Sequence, residues 1–397
     1  MREFIAVILG ADENAYGCAK MFYEINGEKP YLLCSKPLYA TSYSKILTRR
    51  VITDLDSPAV FRKEIAKTLS ALKKEANKLL LIPCSDYYAE LVINNRDVCE
   101  EYIANPILSK ECYASFSTKA SFMRLCGKYG ISHPKTEIIV PSGELGQKKE
   151  RSFPLVLKPS NSNSFEYLHS GIEGKRKVYI CENADMLQKA LESFVLDGYN
   201  APSVLQEYIS GDERYYRVVN AYCDKKARVR LIGVGRPLLE YREKSMIGNY
   251  AAVKCVKDRA LCDKAAELLE GIGYVGFANI DVKISPETGE YMFLELNPRQ
   301  GRSSYYIRAA GVNLMSAMYV DAVLGKAFTE RKYAEGDGIY VNEPLAVIRR
   351  EMRARGLPVS ELDTAKTVAS VSPFRDVSVP RALTLLKRNA RSFIRQI

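Results

Sequence analysis

The chain has 397 residues, of which 47% are hydrophobic and 26% are charged, a balance typical of globular proteins with two or three domains. This composition excludes a disordered or collagenous protein, and the apolar runs are too short for a helix that spans a bilayer. The net charge of +11 indicates an anionic partner, such as a nucleotide, a phosphorylated metabolite, nucleic acid or a membrane surface.

Cysteine and histidine usage argues against a zinc site. The ten cysteines are scattered singly and form no Cys-x-x-Cys pair, and His133 and His169 are the only histidines. Most cysteines lie in apolar stretches, so we expect reduced thiols packed in the core of a cytoplasmic protein. A cysteine nucleophile is the alternative, and nothing in the local sequence supports it.

The first part of the chain alternates between strand and helix patterns. In chain order the pattern predicts a strand over 4–10, a helix over 13–27, a strand over 29–35, a helix over 57–78 and a strand over 78–86. This alternation predicts a parallel α/β domain, which we place at residues 1–110. Its first loop, GADENAYG, lacks two glycines of the GxGxxG fingerprint, which disfavours nicotinamide binding.

The next part, residues 111–325, has a different character. A helix over 115–130 is followed by short strands with turn residues between them, interrupted by helices over 186–195 and 258–273. The predicted strands are residues 153–159, 177–181, 203–209, 215–223, 228–236, 276–284 and 290–298. This pattern predicts a mixed α+β domain. A helix over 313–325 then leads into a basic C-terminal region, residues 326–397.

The strongest local signal is the predicted hairpin over residues 276–299. Strand geometry with a period of two places Asp281 and Glu295 on one face, and the turn SPETGE brings them opposite each other. Two carboxylates and the amide oxygen of Asn297 suit a hard cation, Mg²⁺ or Mn²⁺. The alternative is a solvated polar face. The polar row continues into a cationic patch at residues 299–302, which suits a phosphate or a carboxylate.

The same alternation places the apolar residues of this hairpin on the opposite face. On the second strand, Met292, Leu294 and Leu296 alternate with Glu295, Asn297 and Arg299.

Two lysines and one polar strand end stand out upstream. Lys158 ends a strand and precedes a Ser/Asn-rich loop, residues 160–174, that is suited to folding over phosphate oxygens. Lys119 lies in a helical segment. Each lysine taken alone is more typical of a solvated surface amine. The segment 204–213, VLQEYISGDE, leaves a strand and ends in two acids, which suits an adenine edge and a ribose; the alternative is a strand followed by a polar turn.

The order of these pieces, rather than any one of them, resembles the ATP-grasp superfamily over about residues 110–325. The resemblance implies an ATP-grasp fold, α/β plus α+β, with a Rossmann-like N-terminal domain at 1–110, the nucleotide and metal site at 111–325, and the cofactors ATP and Mg²⁺ or Mn²⁺. It implies phosphate contacts for Lys119 and Lys158, an adenine hinge at Gln206, Glu207, Tyr208 and Ile209, a ribose acid at Glu213, metal ligands at Asp281, Glu295 and Asn297, and catalytic roles for Lys158, Arg299 and Arg302.

Two longer stretches, residues 8–37 and 294–314, look like D-aspartate ligases and their carboxylate–amine ligase relatives. That resemblance implies activation of an amino-acid carboxylate as an acyl phosphate and its transfer to the lysine amine of a peptidoglycan precursor, a UDP-linked or lipid-linked muramyl peptide. Arg302, Ser303 and Ser304 are expected to bind the substrate carboxylates. The alternatives are a ligase that makes another amide outside the cell wall and a non-catalytic nucleotide-binding protein.

The positive charge leaves two further interpretations to weigh. Binding of nucleic acid is one, but no zinc finger, helix-turn-helix or RNP motif is present, so no specific nucleic acid is expected. The C-terminal segment 380–397 has apolar residues at helical spacing with arginines and lysines between them. Such a helix either lies on the inner face of an anionic membrane or packs on the protein, and packing is favoured. The ATP-grasp resemblance also implies a homodimer.

Overall fold

The computed structural model describes most of the chain. The described residues are 1–141, 151–159, 178–196, 198–199, 201–243, 246–372, 376 and 378–394. They form three sheets with helices packed against them. No helix among them is both long enough and apolar enough to cross a membrane.

The first sheet is parallel and belongs to the N-terminal part of the chain. Its strands are β1 (Arg2–Leu9), β2 (Tyr31–Cys34), β3 (Thr48–Val51) and β4 (Ala76–Pro83), in the order β3-β2-β1-β4. Two helices, α1 (Glu13–Asn26) and α2 (Pro58–Lys73), cover its two faces. Alternate β1 residues explain this: Val7 joins the core formed with α2, whereas Ile8 joins the core formed with α1. The predicted α/β alternation is confirmed.

Local signals determine the ends of α1. The Asp12 side chain caps the helix by accepting a hydrogen bond from the Ala15 amide, at 3.1 Å. Gly27 ends it in the left-handed conformation, with φ +76°, which glycine adopts without steric cost. Short helices then connect the first sheet to the rest of the chain: α3 (Asp86–Asn94), α4 (Arg96–Cys99), α5 (Lys110–Ala114) and α6 (Lys119–Lys128).

The second sheet is small and antiparallel. Its strands are β5 (Thr136–Ile139), β6 (Leu155–Pro159), β7 (Tyr179–Cys181) and β8 (Ser203–Glu207), in the order β5-β8-β6-β7. Helix α7 (Ala184–Leu196) packs on it through Leu187, Leu191 and Phe194. The sheet therefore presents its other face to the third sheet, and the candidate nucleotide cavity lies there.

The third sheet is the largest. Its strands are β9 (Tyr216–Cys223), β10 (Val229–Glu240), β11 (Tyr250–Val256), β12 (Gly276–Ile284), β13 (Tyr291–Asn297), β14 (Lys332–Ala334), β15 (Gly338–Val341) and β16 (Lys366–Ala369). The order is β13-β12-β9-β10-β11-β15-β16, and β14 pairs with β10. The associated helices are α8 (Arg259–Gly271), α9 (Tyr305–Ala309), α10 (Met315–Met318), α11 (Leu345–Ala354) and α12 (Val379–Ile394).

Strands from the basic C-terminal region complete this third sheet. β14 pairs with β10, and β15 pairs with β11, although more than 80 residues separate them along the chain. The helix predicted over 313–325 is α10 continued by a wider π-helical turn, Tyr319–Val323. The domain boundaries at residues 110 and 325 stay predictions.

The β12–β13 hairpin has the predicted pairing but not the predicted alternation throughout. Asp281 lies opposite Glu295 as expected, but the register shifts at the next pair, where Val282 lies opposite Phe293. The β-bulge inserts Leu294 as an extra residue on β13. The predicted alternation is therefore interrupted at Leu294: Phe293 is buried in the core, and Leu294 lines the candidate nucleotide cavity.

Candidate active site

A cavity of about 500 Å³ is lined by residues of the second and third sheets. It brings together residues that are distant in sequence, because β6 and β8 supply one wall and β9, β12 and β13 supply the other. Of the predicted nucleotide-binding residues, Lys119 does not line it, and the rest do: Lys158, Gln206, Glu207, Tyr208, Ile209 and Glu213.

Lys158 reaches into this cavity from β6. Its ammonium donates a hydrogen bond to the Gln206 Oε1 atom at 3.0 Å, and the Gln206 amide donates to the Thr136 hydroxyl at 3.0 Å. Burial, together with the nearby positive charge of Lys119, lowers the pKa of Lys158 to about 8. A desolvated ammonium held in a fixed position is suited to binding an anion that enters the cavity.

Lys283 is a cavity residue that the sequence interpretation missed. It lies on β12 two residues beyond Asp281, and its ammonium donates to the carbonyls of Ile209 and Gly211, both at 2.8 Å. The ammonium also lies 4.6 Å from the centre of the Tyr216 ring. Lys283 thus holds the predicted hinge against the third sheet. Its place on the same strand face as Asp281 was the available signal.

The predicted ribose acid, Glu213, pairs with a second residue that was missed. The Arg355 guanidinium, only 4% exposed, donates to Glu213 Oε1 at 3.2 Å and to the Glu240 carbonyl at 2.7 Å. All three residues line the cavity. Arg355 lies 142 positions beyond Glu213 and no motif surrounds it, so the sequence alone carried no signal for this contact.

The three predicted metal ligands meet at the β12–β13 hairpin. Asp281 accepts hydrogen bonds from the amides of Asn279, at 3.1 Å, and Asn297, at 3.4 Å. Burial raises the pKa of Asp281 to about 7, and the neighbouring charge of Glu295 contributes to the rise. Lys119 completes the group, with its ammonium 3.6 Å from Glu295 Oε1. The structure therefore places Lys119 beside these candidate ligands.

The chemistry of these residues fits a magnesium ion. Among the residues that the structure describes, no group of three or more His, Cys, Asp or Glu side chains could hold a metal, so other oxygens must complete its coordination. Mg²⁺ is commonly held by one or two carboxylates together with substrate phosphates, which matches the pair Asp281 and Glu295 beside a nucleotide cavity. A cation there would also offset the repulsion between the two carboxylates.

Arg299 follows this hairpin and is held by a residue from the N-terminal part of the chain. Its guanidinium donates to Asp86 Oδ2 at 2.8 Å, from the first residue of α3, and to the Gln300 carbonyl at 3.1 Å. Burial opposes the charged form, but Asp86, Asp281 and Glu295 outweigh it, and the net pKa of Arg299 is raised. Asp86, 213 positions away, was not foreseen because nothing near it in the sequence indicates this contact.

A smaller cavity of about 60 Å³ adjoins the candidate metal ligands. It is lined in part by Asp281, Arg299, Arg302 and Ser303, whereas Ser304 is buried and does not line it. The Arg302 guanidinium lies 3.2 Å from Asp12 Oδ2, so the cap of α1 also reaches this site. The predicted substrate residues are thus only partly together. The predicted phosphate loop, residues 160–174, lies outside the described residues.

The sequence matches known proteins along most of its length. Residues 251–323 match the family described as carbamoyl-phosphate synthase L chain, ATP binding domain. The D-aspartate ligase of Enterococcus faecium (strain Aus0004) is 36% identical over 340 residues, which cover 83% of this chain and 79% of that protein.

Solved structures share the architecture. The L-amino acid ligase from Bacillus licheniformis superposes with a TM-score of 0.57 at 13% identity, covering 81% of this chain and 75% of that one. The biotin carboxylase domain of 2-oxoglutarate carboxylase from Hydrogenobacter thermophilus, solved with MgADP, ADP and bicarbonate, gives 0.56 at 15% identity, covering 82% and 71%. At these identities the likeness shows the fold, and it confirms the predicted α/β plus α+β class.

Proposed function

Because the chain belongs to the ATP-grasp carboxylate–amine ligases, ATP-dependent enzymes that form carbon–nitrogen bonds, we propose that it joins D-aspartate to the lysine amine of a peptidoglycan precursor. The single observation that carries this choice of substrate is the 36% identity to a D-aspartate ligase across 83% of the chain. The precursor would be a UDP-linked or lipid-linked muramyl peptide in the cytoplasm, at or near the inner face of the membrane. A homodimer stays a prediction.

The proposed reaction has two steps because a carboxylate is a poor electrophile. A carboxylate oxygen of the amino acid attacks the γ-phosphorus of ATP, the bond from that phosphorus to the bridging oxygen of ADP breaks, and an acyl phosphate forms. The amine nitrogen then attacks the carbonyl carbon, loses a proton and displaces inorganic phosphate.

We assign the phosphate end of the site to Lys158 and Arg299. Both side chains are cationic and largely buried near the candidate metal ligands, so they would offset charge on the transferred phosphoryl group without reorganising. Asp281, Glu295 and Asn297 would hold Mg²⁺, which when bound neutralises phosphate charge and orients the phosphates. Lys119, beside Glu295, would contact the same phosphates.

Substrate binding is assigned to the smaller cavity. Arg302 lines this cavity and supplies a cation, and Asp12, which is not among the lining residues, supplies an anion 3.2 Å from it. Together they carry the two charges that complement the carboxylate and ammonium of an amino acid. Ser303 lines the same cavity and would donate to a carboxylate oxygen. Ser304 is a weaker candidate, because its amide bonds to the Gly301 carbonyl and its side chain lies away from this cavity.

ADP release tests the proposal directly. The purified full chain is incubated with ATP, Mg²⁺ and a panel of D- and L-amino acids, with and without a UDP-linked muramyl pentapeptide. We expect ADP only when D-aspartate and the precursor are both present, with a product heavier by one aspartyl residue. Turnover with another carboxylate or acceptor would replace the substrate assignment and keep the ligase chemistry. ATP binding without ADP under every condition would favour the non-catalytic alternative.

A further inference from the structure

Helix α12, at Val379–Ile394, packs on the protein with its apolar stripe turned outward. The residues of this stripe recur at helical spacing and have large exposed fractions: Val379 73%, Leu383 55%, Leu386 54%, Phe393 50% and Ile394 87%. Ala390 lies in the same row and is also exposed. A helix that only packs on its own protein normally turns such a stripe inward.

The inward face of α12 is held by arginines. Arg381 is 1% exposed, donates to the carbonyls of Ala40 and Ser42 at 2.9 Å, and pairs with buried Asp376. About two helical turns further on, the Arg388 guanidinium lies 2.6 Å from Glu343 Oε1. These contacts fix the rotation of the helix. The apolar stripe therefore faces outward as a consequence of specific polar anchoring.

The charges around the stripe are positive. Lys387 and Arg391 are exposed on α12, and no Asp or Glu occurs between Val379 and Ile394. Arg350 and Arg353 of α11 are exposed too, and Arg350 donates to the Phe393 carbonyl at 2.6 Å, which places it beside the last turn of α12. The acids that pair with Arg381 and Arg388 are buried, and Glu351, 2.8 Å from the Arg350 guanidinium, offsets part of the charge of Arg350. The surface charge therefore comes mainly from Lys387, Arg391 and Arg353.

Further exposed apolar surface adjoins the start of the helix. Tyr43 is 56% exposed, and its carbonyl accepts a hydrogen bond from the Ser378 hydroxyl at 3.0 Å. Leu38, 38% exposed, belongs to the same loop, in which the Ser42 amide bonds to the Leu38 carbonyl. The apolar surface thus extends past the first turn of α12, and Lys45 next to it is exposed.

We infer that this surface, formed by the outer face of α12 and the loop around Tyr43, docks on an anionic lipid bilayer. An amphipathic helix that lies in the membrane interface buries its apolar face among acyl chains while flanking lysines and arginines contact anionic headgroups. The alternative occupant is a second copy of the chain. A two-fold contact through this face would place Lys387 and Arg391 near the same residues of the partner, and like charges oppose that pairing.

This docking surface is distinct from the catalytic site, so its test is independent of ATP turnover. The full chain is floated with vesicles of phosphatidylcholine alone or with about one third phosphatidylglycerol. We expect binding to the anionic vesicles that weakens as salt rises from about 0.1 to 0.5 M. The triple variant Leu383→Ser/Leu386→Ser/Phe393→Ser should bind at least tenfold more weakly, on the order expected for losing three interfacial apolar anchors.

Two further variants separate the apolar and charged contributions. Lys387→Gln/Arg391→Gln should lower affinity for the anionic vesicles about tenfold or more and make the binding less sensitive to salt than that of wild type. Leu196→Ser on α7, where Leu196 is 85% exposed, is the matched control and should bind like wild type. Thermal melting shows whether each variant is folded; the stripe is solvent-exposed, so little change is expected.

Three results would overturn the inference. Wild type that stays at the bottom of the gradient with both kinds of vesicle would exclude docking on a bilayer. Equal loss of binding in the Leu196→Ser control would mean that α12 is not the contact. Concentration-dependent dimers in sedimentation velocity, abolished by the triple variant and accompanied by no vesicle binding, would assign the stripe to a second copy of the chain.

Discussion

Replacing Lys158 by methionine removes one buried charge from the nucleotide cavity and keeps most of the side-chain volume. In the wild type, the Lys158 ammonium is 3.0 Å from Gln206 Oε1 and is largely shielded from water. Charge-assisted hydrogen bonds contribute about 1.5–3 kcal/mol, so Lys158→Met should weaken ATP binding roughly 10- to 150-fold. Loss of the same contact in the transition state should lower turnover at least about tenfold.

The pKa of Lys158 also predicts how ATP affinity changes with pH. Because the pKa of Lys158 is lowered to about 8, its charged form is lost as the pH rises through that value. Phosphate oxygens favour the charged form, so ATP affinity should fall above about pH 8 by up to tenfold per pH unit. Lys158→Met cannot titrate and should lose this step.

Lys283 is the matched comparison. Burial lowers its pKa to about 8 as well, but its ammonium is bonded to the hinge carbonyls of Ile209 and Gly211. Lys283→Met should therefore weaken adenosine and ATP alike, whereas Lys158→Met should weaken ATP and spare adenosine. Calorimetric titrations between about pH 6.5 and 9.5 measure both ligands. ATP affinity in Lys158→Met equal to wild type, or an equal loss for adenosine, would refute the phosphate assignment.

Two other substitutions test a candidate metal ligand and the packing of the loop that follows the β12–β13 hairpin. Glu295→Gln should raise the Mg²⁺ concentration needed for half-maximal rate and lower turnover at least about tenfold, measured as ADP release. Glu290→Gln, at the exposed turn of the same hairpin, should leave both quantities unchanged. Equal behaviour of the two variants would contradict the ligand assignment. Gly301→Ala would place a Cβ atom 2.2 Å from Asn279 Oδ1 and should cost about 1–3 kcal/mol of unfolding free energy. Gly127→Ala, inside α6 with its nearest contact at 3.7 Å, should be neutral or stabilising in the same denaturation assay, and a Gly301→Ala variant as stable as wild type would show that this packing is loose.

The β12–β13 hairpin was predictable because its signals are local. A short turn, residues 285–290, joins the two strands, and alternation of apolar and polar residues specifies which side chains share a face. Asp281 and Glu295 are paired as expected. The bulge at Leu294 was not predictable, because a one-residue insertion leaves both flanking patterns intact and only the ladder shows where the register changes.

Other site residues could not be predicted, because their contacts join positions that are far apart in the sequence. Asp86 contacts Arg299 and Asp12 contacts Arg302 across 213 and 290 positions, and each of these acids also caps or begins a helix, a role that explains its presence without a site. Arg355 reaches Glu213 from the region that looked only basic in the sequence. That region also supplies three strands to the third sheet. They were not predicted, because strands of three or four residues carry too little periodicity to be recognised in a sequence.

Three features of this protein follow from the sequence alone: the alternation of the N-terminal α/β part, the pairing of the two carboxylates, and the order of motifs that resembles the ATP-grasp superfamily. These features depend on neighbours a few residues apart or on order along the chain. Contacts between distant segments establish the rest, namely which side chains complete the cavities, where the bulge lies, and which face of α12 is buried. The amphipathic pattern of that helix is the same in either orientation. The contacts of Arg381 and Arg388 with distant segments select the orientation in which Leu383 and Leu386 face solvent.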